Sequence, residues 1–408
     1  MRKLHKKLLS IRKSFPIYDN HPDLVYLDSG ATALKPKVVI EAMNKYYFEY
    51  GVNIHRGVYQ LSYQATDAYD VAREKVAKFI NSKFEEVVFT RNASEALNFV
   101  ALTYGKILQP GDVVLTSELE HHSSVLPWMK MCEEKGATLR YIPLDSEGRI
   151  TVDAVKMQMD EHVKVVAITY VSNVMGYVSP VKEIIDIAHQ YNAVVIVDAA
   201  QAVPHMAIDV KELGADFLAF SGHKMCGPTA IGVLYGKSKI LKKLQPLYYG
   251  GDMNDEVEKT SVEIKEIPFC FETGTPAIAE AIGLGQAIDF ITEIGYDVIH
   301  EHTASLHKYA LEKLSKIDGL TVYNKTADVA IIAFNIDGVH PHDAATIFDE
   351  RNICLRAGHH CAQLITKWLA CIGTLRASIY LYNTKEDIDA FVQTVEDAVR
   401  FFKGLMGE

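Results

Sequence analysis

The sequence predicts an α/β protein in which a mostly parallel, doubly wound sheet carries a ligand site and a smaller α+β domain is attached to it. Three observations predict this. From about residue 86, short β-branched runs alternate with amphipathic segments, the pattern of repeated strand–helix–strand units. Hydrophobic residues make up 49% and charged residues 23%, a globular composition that excludes disorder, collagen-like repeats and a disulfide scaffold. The length of 408 residues suits two or three domains at about 150 residues each.

In chain order, the first strand is Val87–Thr90, and a helix is predicted from Ser94 to Leu108. Asn92 and Glu95 stand in capping-box spacing at that helix start. A strand at Val113–Thr116 and a helix at Ser124–Lys135 follow, then a strand at Val165–Val171 and a helix at Val181–Tyr191. Two more buried strands, Val194–Val197 and Phe217–Phe220, precede the apolar run Ile231–Leu234. After Pro276 the texture changes. Long helices are predicted to Ile291 and over Tyr296–Lys316, then a strand at Ala330–Ile336 and a helix after Pro341. Strands at Ile353–Arg356 and Leu375–Leu381 and a terminal helix from Lys385 complete the pattern. The expected division is a large domain over 21–280, and a small domain from 1–20 with 281–408. Leu4, Leu8, Ile11 and Phe15 form one helical stripe that would pack on the body.

Charge and cysteine usage narrow the class. With 42 Lys and Arg against 52 Asp and Glu, the net charge of −10 repels nucleic acid and anionic membranes. No run approaches the roughly 20 apolar residues that span a bilayer. Six cysteines without CxxC spacing fit reduced thiols in a cytoplasmic setting. The basic first residues raise an organellar transit peptide as the minor alternative, and no apolar core of a secretory signal exists.

The chemistry concentrates at two strand ends. Val194–Val197 runs into Asp198, and Phe217–Phe220 runs into Ser221, Gly222, His223 and Lys224, 26 residues beyond Asp198. Ligands of such sheets bind beyond the carboxyl ends of the strands. Asp198 alone reads equally as a turn cap, and Lys224 alone as a solvated loop lysine. Together they pair a carboxylate, suited to a pyridinium nitrogen, with an amine that desolvation frees for Schiff-base formation. That is the protein half of a pyridoxal phosphate site. A helix N-terminus at Thr90–Glu95, with the Ser94 hydroxyl, offers the phosphate anchor.

Eight stretches, in order, then resemble one family: Val25–Ala31, Asn53–Gly57, Glu120–His122, Val197–Gln201, Ser221–Lys224, Glu272–Pro276, Arg356–Ala362 and Leu375–Ser378. They are similar to the class V aminotransferase superfamily, and more narrowly to Suf-type (group II) cysteine desulfurases and selenocysteine lyases. The resemblance implies the pyridoxal phosphate fold type I, aspartate aminotransferase-like, with a seven-stranded large-domain sheet. It implies that Lys224 bonds the cofactor, Asp198 faces the ring nitrogen, Gln201 the phenolic oxygen, and His122 stacks on the ring and carries protons. Ala93, Ser94, Ser221 and His223 would hold the phosphate, with Thr275 supplied by the second subunit of a homodimer. Asn173, Arg376, Arg356 and His55 would serve the substrate, Arg376 by a bidentate grip on its carboxylate.

Cys361 would take sulfur from L-cysteine as a persulfide, leave alanine, and pass the sulfur to a protein acceptor, a Suf-type scaffold or carrier for iron–sulfur assembly. Arg356, His359 and His360 are expected to supply positive potential beside that thiol. A selenocysteine lyase and a class V aminotransferase are the enzymatic alternatives, and a cofactor-free regulatory scaffold is the non-enzymatic one. No metal site is expected, because His359, His360, Cys361, His340 and His342 lack zinc-like spacing. The chain departs from the pattern at Ala93, where relatives carry threonine, at Leu364, where they carry proline, and at Cys226 and Ala230.

Overall fold

The computed structural model of the chain describes residues 10–406. Its centre is a seven-stranded sheet built from β1 (Val87–Thr90), β2 (Val113–Ser117), β3 (Thr138–Ile142), β4 (Val163–Thr169), β5 (Val194–Asp198), β6 (Phe217–Ser221) and β7 (Gly232–Gly236). The spatial order is β1-β7-β6-β5-β4-β2-β3. Strands β2 to β6 pair in parallel, and β7 runs antiparallel between β6 and β1.

Strands covered on both faces read as continuous apolar runs, and their side chains alternate between two cores. Val166, Ile168, Val195 and Val197 enter one core, whereas Val165, Ala167 and Ile196 enter the other. The first core is closed by α1 (Lys37–Glu49), α2 (Gln60–Phe79) and α5 (Ile278–Ile294), the second by α3 (Ala93–Thr103) and α4 (His122–Lys135).

A smaller antiparallel sheet holds β8 (Leu320–Val322), β9 (Ile331–Ile336), β10 (Arg356–Gly358) and β11 (Thr374–Ser378) in the order β8-β9-β11-β10. Its own core lies under α6 (Tyr296–Leu314), α7 (Pro341–Asp349) and α8 (Lys385–Met406). The early segment Val25–Tyr26 pairs with Ile353–Cys354, and Asp28 bridges to Ser378. That pairing carries Asp28 to the strand that holds Arg376.

Several local expectations shift. Strand β4 starts at Val163 and ends at Thr169, two residues earlier than predicted. The helix expected to reach Leu108 stops at Thr103 and tightens into a 3₁₀ turn, Tyr104–Ile107. The predicted capping box forms only half: the Asn92 side chain accepts from the Glu95 amide at 2.9 Å, but the Glu95 carboxylate accepts from the Arg91 amide at 2.6 Å instead. Of the N-terminal stripe, Ile11 and Phe15 are buried, and Leu4 and Leu8 lie outside the described residues.

Candidate active site

A cavity of about 240 Å³ opens at the carboxyl ends of β4, β5 and β6. Asp198, the last residue of β5, is buried there, and its Oδ1 accepts from the Ala200 amide at 2.9 Å. Burial raises its carboxyl above the ordinary range, while the Ala200 amide and Lys224 oppose the rise. Lys224 closes the 3₁₀ turn Gly222–Lys224 that follows β6. Its Nζ has no hydrogen bond or ion pair among the described residues. Burial pulls its ammonium down to about 8; Asp198 opposes the fall and Arg376 adds to it.

The wall facing this amine is the N-terminus of α3. The Ala93 amide donates to Ser221 Oγ at 2.8 Å, and Ser94 Oγ shares a 2.6 Å hydrogen bond with Ser123 Oγ. Strand β7 presses against the same turn: a Cβ on Gly232 would stand 2.5 Å from the Asn92 backbone. Only glycine permits that approach. Gly232→Ala is therefore expected to push the α3 N-terminus away and weaken retention of an anionic ligand there. Equilibrium dialysis against pyridoxal 5'-phosphate checks this, and an unchanged affinity would contradict the placement.

The structure corrects one predicted role. His121, not His122, lines the cavity. His121 is the N-cap of α4, its Nδ1 accepting from the Ser123 amide at 3.1 Å, so Nε2 carries the ring proton. Burial, then the Lys224 charge, hold it near 3, a neutral ring. His122, one residue on, turns to the neighbouring loop: its amide donates to the Cys361 carbonyl at 2.6 Å and its Nε2 accepts from the Gln363 amide at 3.1 Å. A cap residue faces the sheet edge that it follows, whereas the first helical residue points sideways, and adjacent histidines do not reveal which is which.

Cys361 is exposed at the cavity rim. Both it and His360 adopt φ of 54°, left-handed for non-glycine residues, and the bonds to His122 and from Asn173 Nδ2 to the His360 carbonyl (2.8 Å) hold them there. His360 itself is buried and held neutral near 3 by desolvation, with Arg376 adding to the fall. The expected positive potential beside Cys361 therefore does not come from His360. Arg356 and Arg376, which line the same cavity, supply it.

Arg376 is fully enclosed, donating through Nη1 to the Asn173 carbonyl at 2.9 Å and through Nη2 to Asp28 Oδ1 at 3.2 Å, with Nε unpaired. Asp28 also accepts from Arg356 Nε at 3.2 Å, so one carboxylate bridges both guanidinium groups. Sequence reasoning did not single out Asp28. Its signal was a carboxylate just after the strand Val25–Tyr26. Gln201 lines the cavity and donates to the Gly30 carbonyl at 2.6 Å.

One predicted residue stands elsewhere, and Thr275, expected to serve the cavity of a second subunit, does not line the cavity of its own chain. Thr275 lies on a second cavity with Thr90, Arg91, Glu95 and Tyr248. His55 is not brought to Lys224: its ring sits between Tyr69 and Phe269, at centroid distances of 6.0 and 5.7 Å, with Nδ1 4.0 Å from Asp252.

A carboxylate and an unpaired buried amine on neighbouring strand ends, beside a hydroxyl-bearing helix N-terminus, define a pyridoxal phosphate protein of the fold type I class, and the donor set fits that cofactor. The chain belongs to the class V aminotransferase family, a family of pyridoxal phosphate enzymes, which it matches over residues 25–391. It is 51% identical over 397 residues to a probable cysteine desulfurase of Halalkalibacterium halodurans, covering 96% of this chain and 98% of that one. Among solved structures, the cysteine desulfurase of Thermococcus onnurineus superposes with a TM-score of 0.92 at 40% identity, over 96% of this chain and 98% of that one. The cysteine desulfurase CsdA of Escherichia coli gives 0.91 at 38%, over 97% and 98%.

Proposed function

We infer that the chain is a pyridoxal phosphate-dependent cysteine desulfurase, converting L-cysteine to L-alanine and carrying the sulfur on Cys361. The observation that supports it most is the Cys361 thiol at the rim of the cavity that holds Lys224 and Asp198. An aminotransferase has no use for that thiol.

Pyridoxal phosphate, when bound, supplies the electron sink that allows the Cα–H and Cβ–S bonds of the substrate to break. Ala93, Ser94, Ser221 and His223 would hold its phosphate, Asp198 would keep a proton at the ring nitrogen, and Gln201 would donate to the phenolic oxygen. Asn173 and Arg376 orient the substrate carboxylate, with Arg356 beside them. Lys224 Nζ takes the Cα proton and returns one to carbon. His121 would lie against the bound cofactor and, through its Nε2–H, would move the second proton. Cys361 Sγ attacks the substrate sulfur; the Cβ–S bond breaks, an S–S bond forms, the substrate thiol's proton stays on the outer sulfur, and the proton given up by Cys361 balances the one that Cβ gains. Cysteine and one thiol thus give alanine and one persulfide, with no other oxidant.

The acceptor is a cysteine-bearing protein, of the Suf-type scaffold or carrier kind, and iron–sulfur assembly is the destination. A homodimer would bring Thr275 of a second copy to the phosphate. The exposure of Phe48 and Val58, 85% and 88%, supports such an association. Among the described residues no helix is long and apolar enough to cross a membrane. The six free cysteines support the proposed cytoplasmic location.

Incubation with L-cysteine and a thiol acceptor is expected to release alanine. Release of a 2-oxo acid instead would favour the aminotransferase. The amine near 8 adds a pH test. Only the neutral amine attacks an aldehyde, so cofactor capture by the stripped protein is expected to rise about tenfold per pH unit up to about 8 and then level. Asp198→Asn removes the charge that supports the ammonium, so the profile is expected to move to lower pH. A midpoint at the ordinary lysine value would contradict the burial of Lys224.

A further inference from the structure

The peptide that joins His223 to Lys224 is gripped from outside its own loop. Its oxygen, the His223 carbonyl, accepts from the Ala33 amide at 2.9 Å, Thr32 Oγ1 at 3.1 Å and Lys35 Nζ at 3.1 Å. A carbonyl offers two lone pairs, so three donors saturate it and fix the plane of that peptide. Lys35 completes its own set by donating to Thr32 Oγ1 at 2.9 Å and to the Ala33 carbonyl. An ammonium has three donors, and all three are spent inside this cluster.

Lys35 has no carboxylate partner in the described residues, and its ammonium is largely buried, which draws it down to about 8. Lysine is seldom enclosed without a countercharge, because the desolvated charge is costly. The cost is met here by three oxygens, one of which belongs to the peptide leading into Lys224. The segment lies just before α1, outside any helix or strand, so no regular ladder accounts for these bonds.

We propose that Lys35 is a positioning residue for Lys224: by holding the His223 carbonyl it fixes the main chain from which the Lys224 side chain enters the cavity. The Lys224 stem has four rotatable carbons, and its Nζ is unpaired, so among the described residues hydrogen bonds hold the amine only through its main chain. Orientation of this kind carries large rate factors, and a displacement of about 1 Å costs about a hundredfold. The proposal rests on the reading of Lys224 as the amine that captures the cofactor.

The test compares two probes on full-length protein stripped of cofactor. Pyridoxal 5'-phosphate can bond to Lys224, whereas pyridoxine 5'-phosphate occupies the same cavity without an aldehyde. Borohydride quenching at timed intervals, followed by peptide mass, reads the rate at which Lys224 is captured. Lys35→Met is expected to slow capture at least about tenfold while pyridoxine phosphate affinity is unchanged. Lys35→Arg, which keeps a cation and donors, should recover most of the rate, and Thr32→Val should show a smaller loss in the same direction.

Capture at the wild-type rate in Lys35→Met would overturn the proposal. So would a loss of capture matched by an equal loss of pyridoxine phosphate affinity, since that reports a deformed cavity. If Lys35→Met does not fold, Thr32→Val decides, and an unchanged capture rate there overturns it. Wild-type protein in which no label reaches Lys224 would instead sink the underlying assignment of the amine.

Discussion

Replacing Cys361 with serine is expected to lower sulfur transfer to an acceptor thiol at least about a thousandfold while the cofactor stays bound. A hydroxyl cannot form the S–S bond that carries the sulfur. The substitution is otherwise mild: Cys361 is exposed, and the bond holding its loop runs from the His122 amide to its main-chain carbonyl at 2.6 Å, which serine retains. Loss of activity can therefore be assigned to the thiol. Measuring sulfur delivered to a small thiol acceptor, alongside the absorbance of the bound cofactor, separates chemistry from cofactor loss. Undiminished delivery would remove Cys361 from the mechanism.

The largest expected effect on stability lies behind the second cavity. Arg73 is wholly enclosed, and its Nη1 and Nη2 each reach the Glu272 carboxylate at 2.7 Å. Nη1 also donates to the Val87 carbonyl at 2.7 Å, and Glu272 accepts from the Phe89 amide at 2.7 Å and from Tyr69 Oη at 3.1 Å. The guanidinium sits against Phe89, its carbon 4.6 Å from the ring centroid. One ion pair thus ties α2, β1 and the segment leading to Thr275 together.

Removing one partner leaves an uncompensated charge in this setting, so Glu272→Ala is expected to cost about 3–5 kcal/mol in denaturant unfolding. The double substitution Arg73→Met with Glu272→Leu should recover part of that loss, because two matched apolar residues leave no charge behind. A Glu272→Ala midpoint no different from that of a surface variant such as Lys130→Ala would contradict the role of the pair.

The strand ends of the large sheet were legible because each parallel strand delivers its last residue to the same edge. Val194–Val197 and Phe217–Phe220 are apolar throughout, so Asp198 stands out as the first polar group beyond one strand and Lys224 as the first charged group beyond the other. Strand β3 was not legible, since Thr138–Ile142 interleaves Arg140 among apolar residues at the sheet edge and is buried only at Ile142. The hairpin of Asn254–Val257 with Val262–Ile264 was missed for a related reason: it is polar and exposed.

At the site, resemblance brought Arg376, Arg356 and Cys361 into view, but their contacts could not be read along the chain. They arrive from another sheet, and the carboxylate that organises the two arginines, Asp28, lies more than 300 residues before them. The exchange of His121 for His122 is a matter of one residue. Which one faces the cavity depends on where α4 begins, and helix boundaries are the least certain feature of a sequence pattern.

The most direct test of the account is peptide mapping of the wild-type protein after a single turnover with L-cysteine, without reducing agent or acceptor. The account predicts one added sulfur on the peptide containing Cys361, in step with one alanine released per cofactor, and none on Cys132, Cys226, Cys270, Cys354 or Cys371. Alanine accompanied by sulfur on another of these cysteines, or with Cys361 left unmodified, would contradict it.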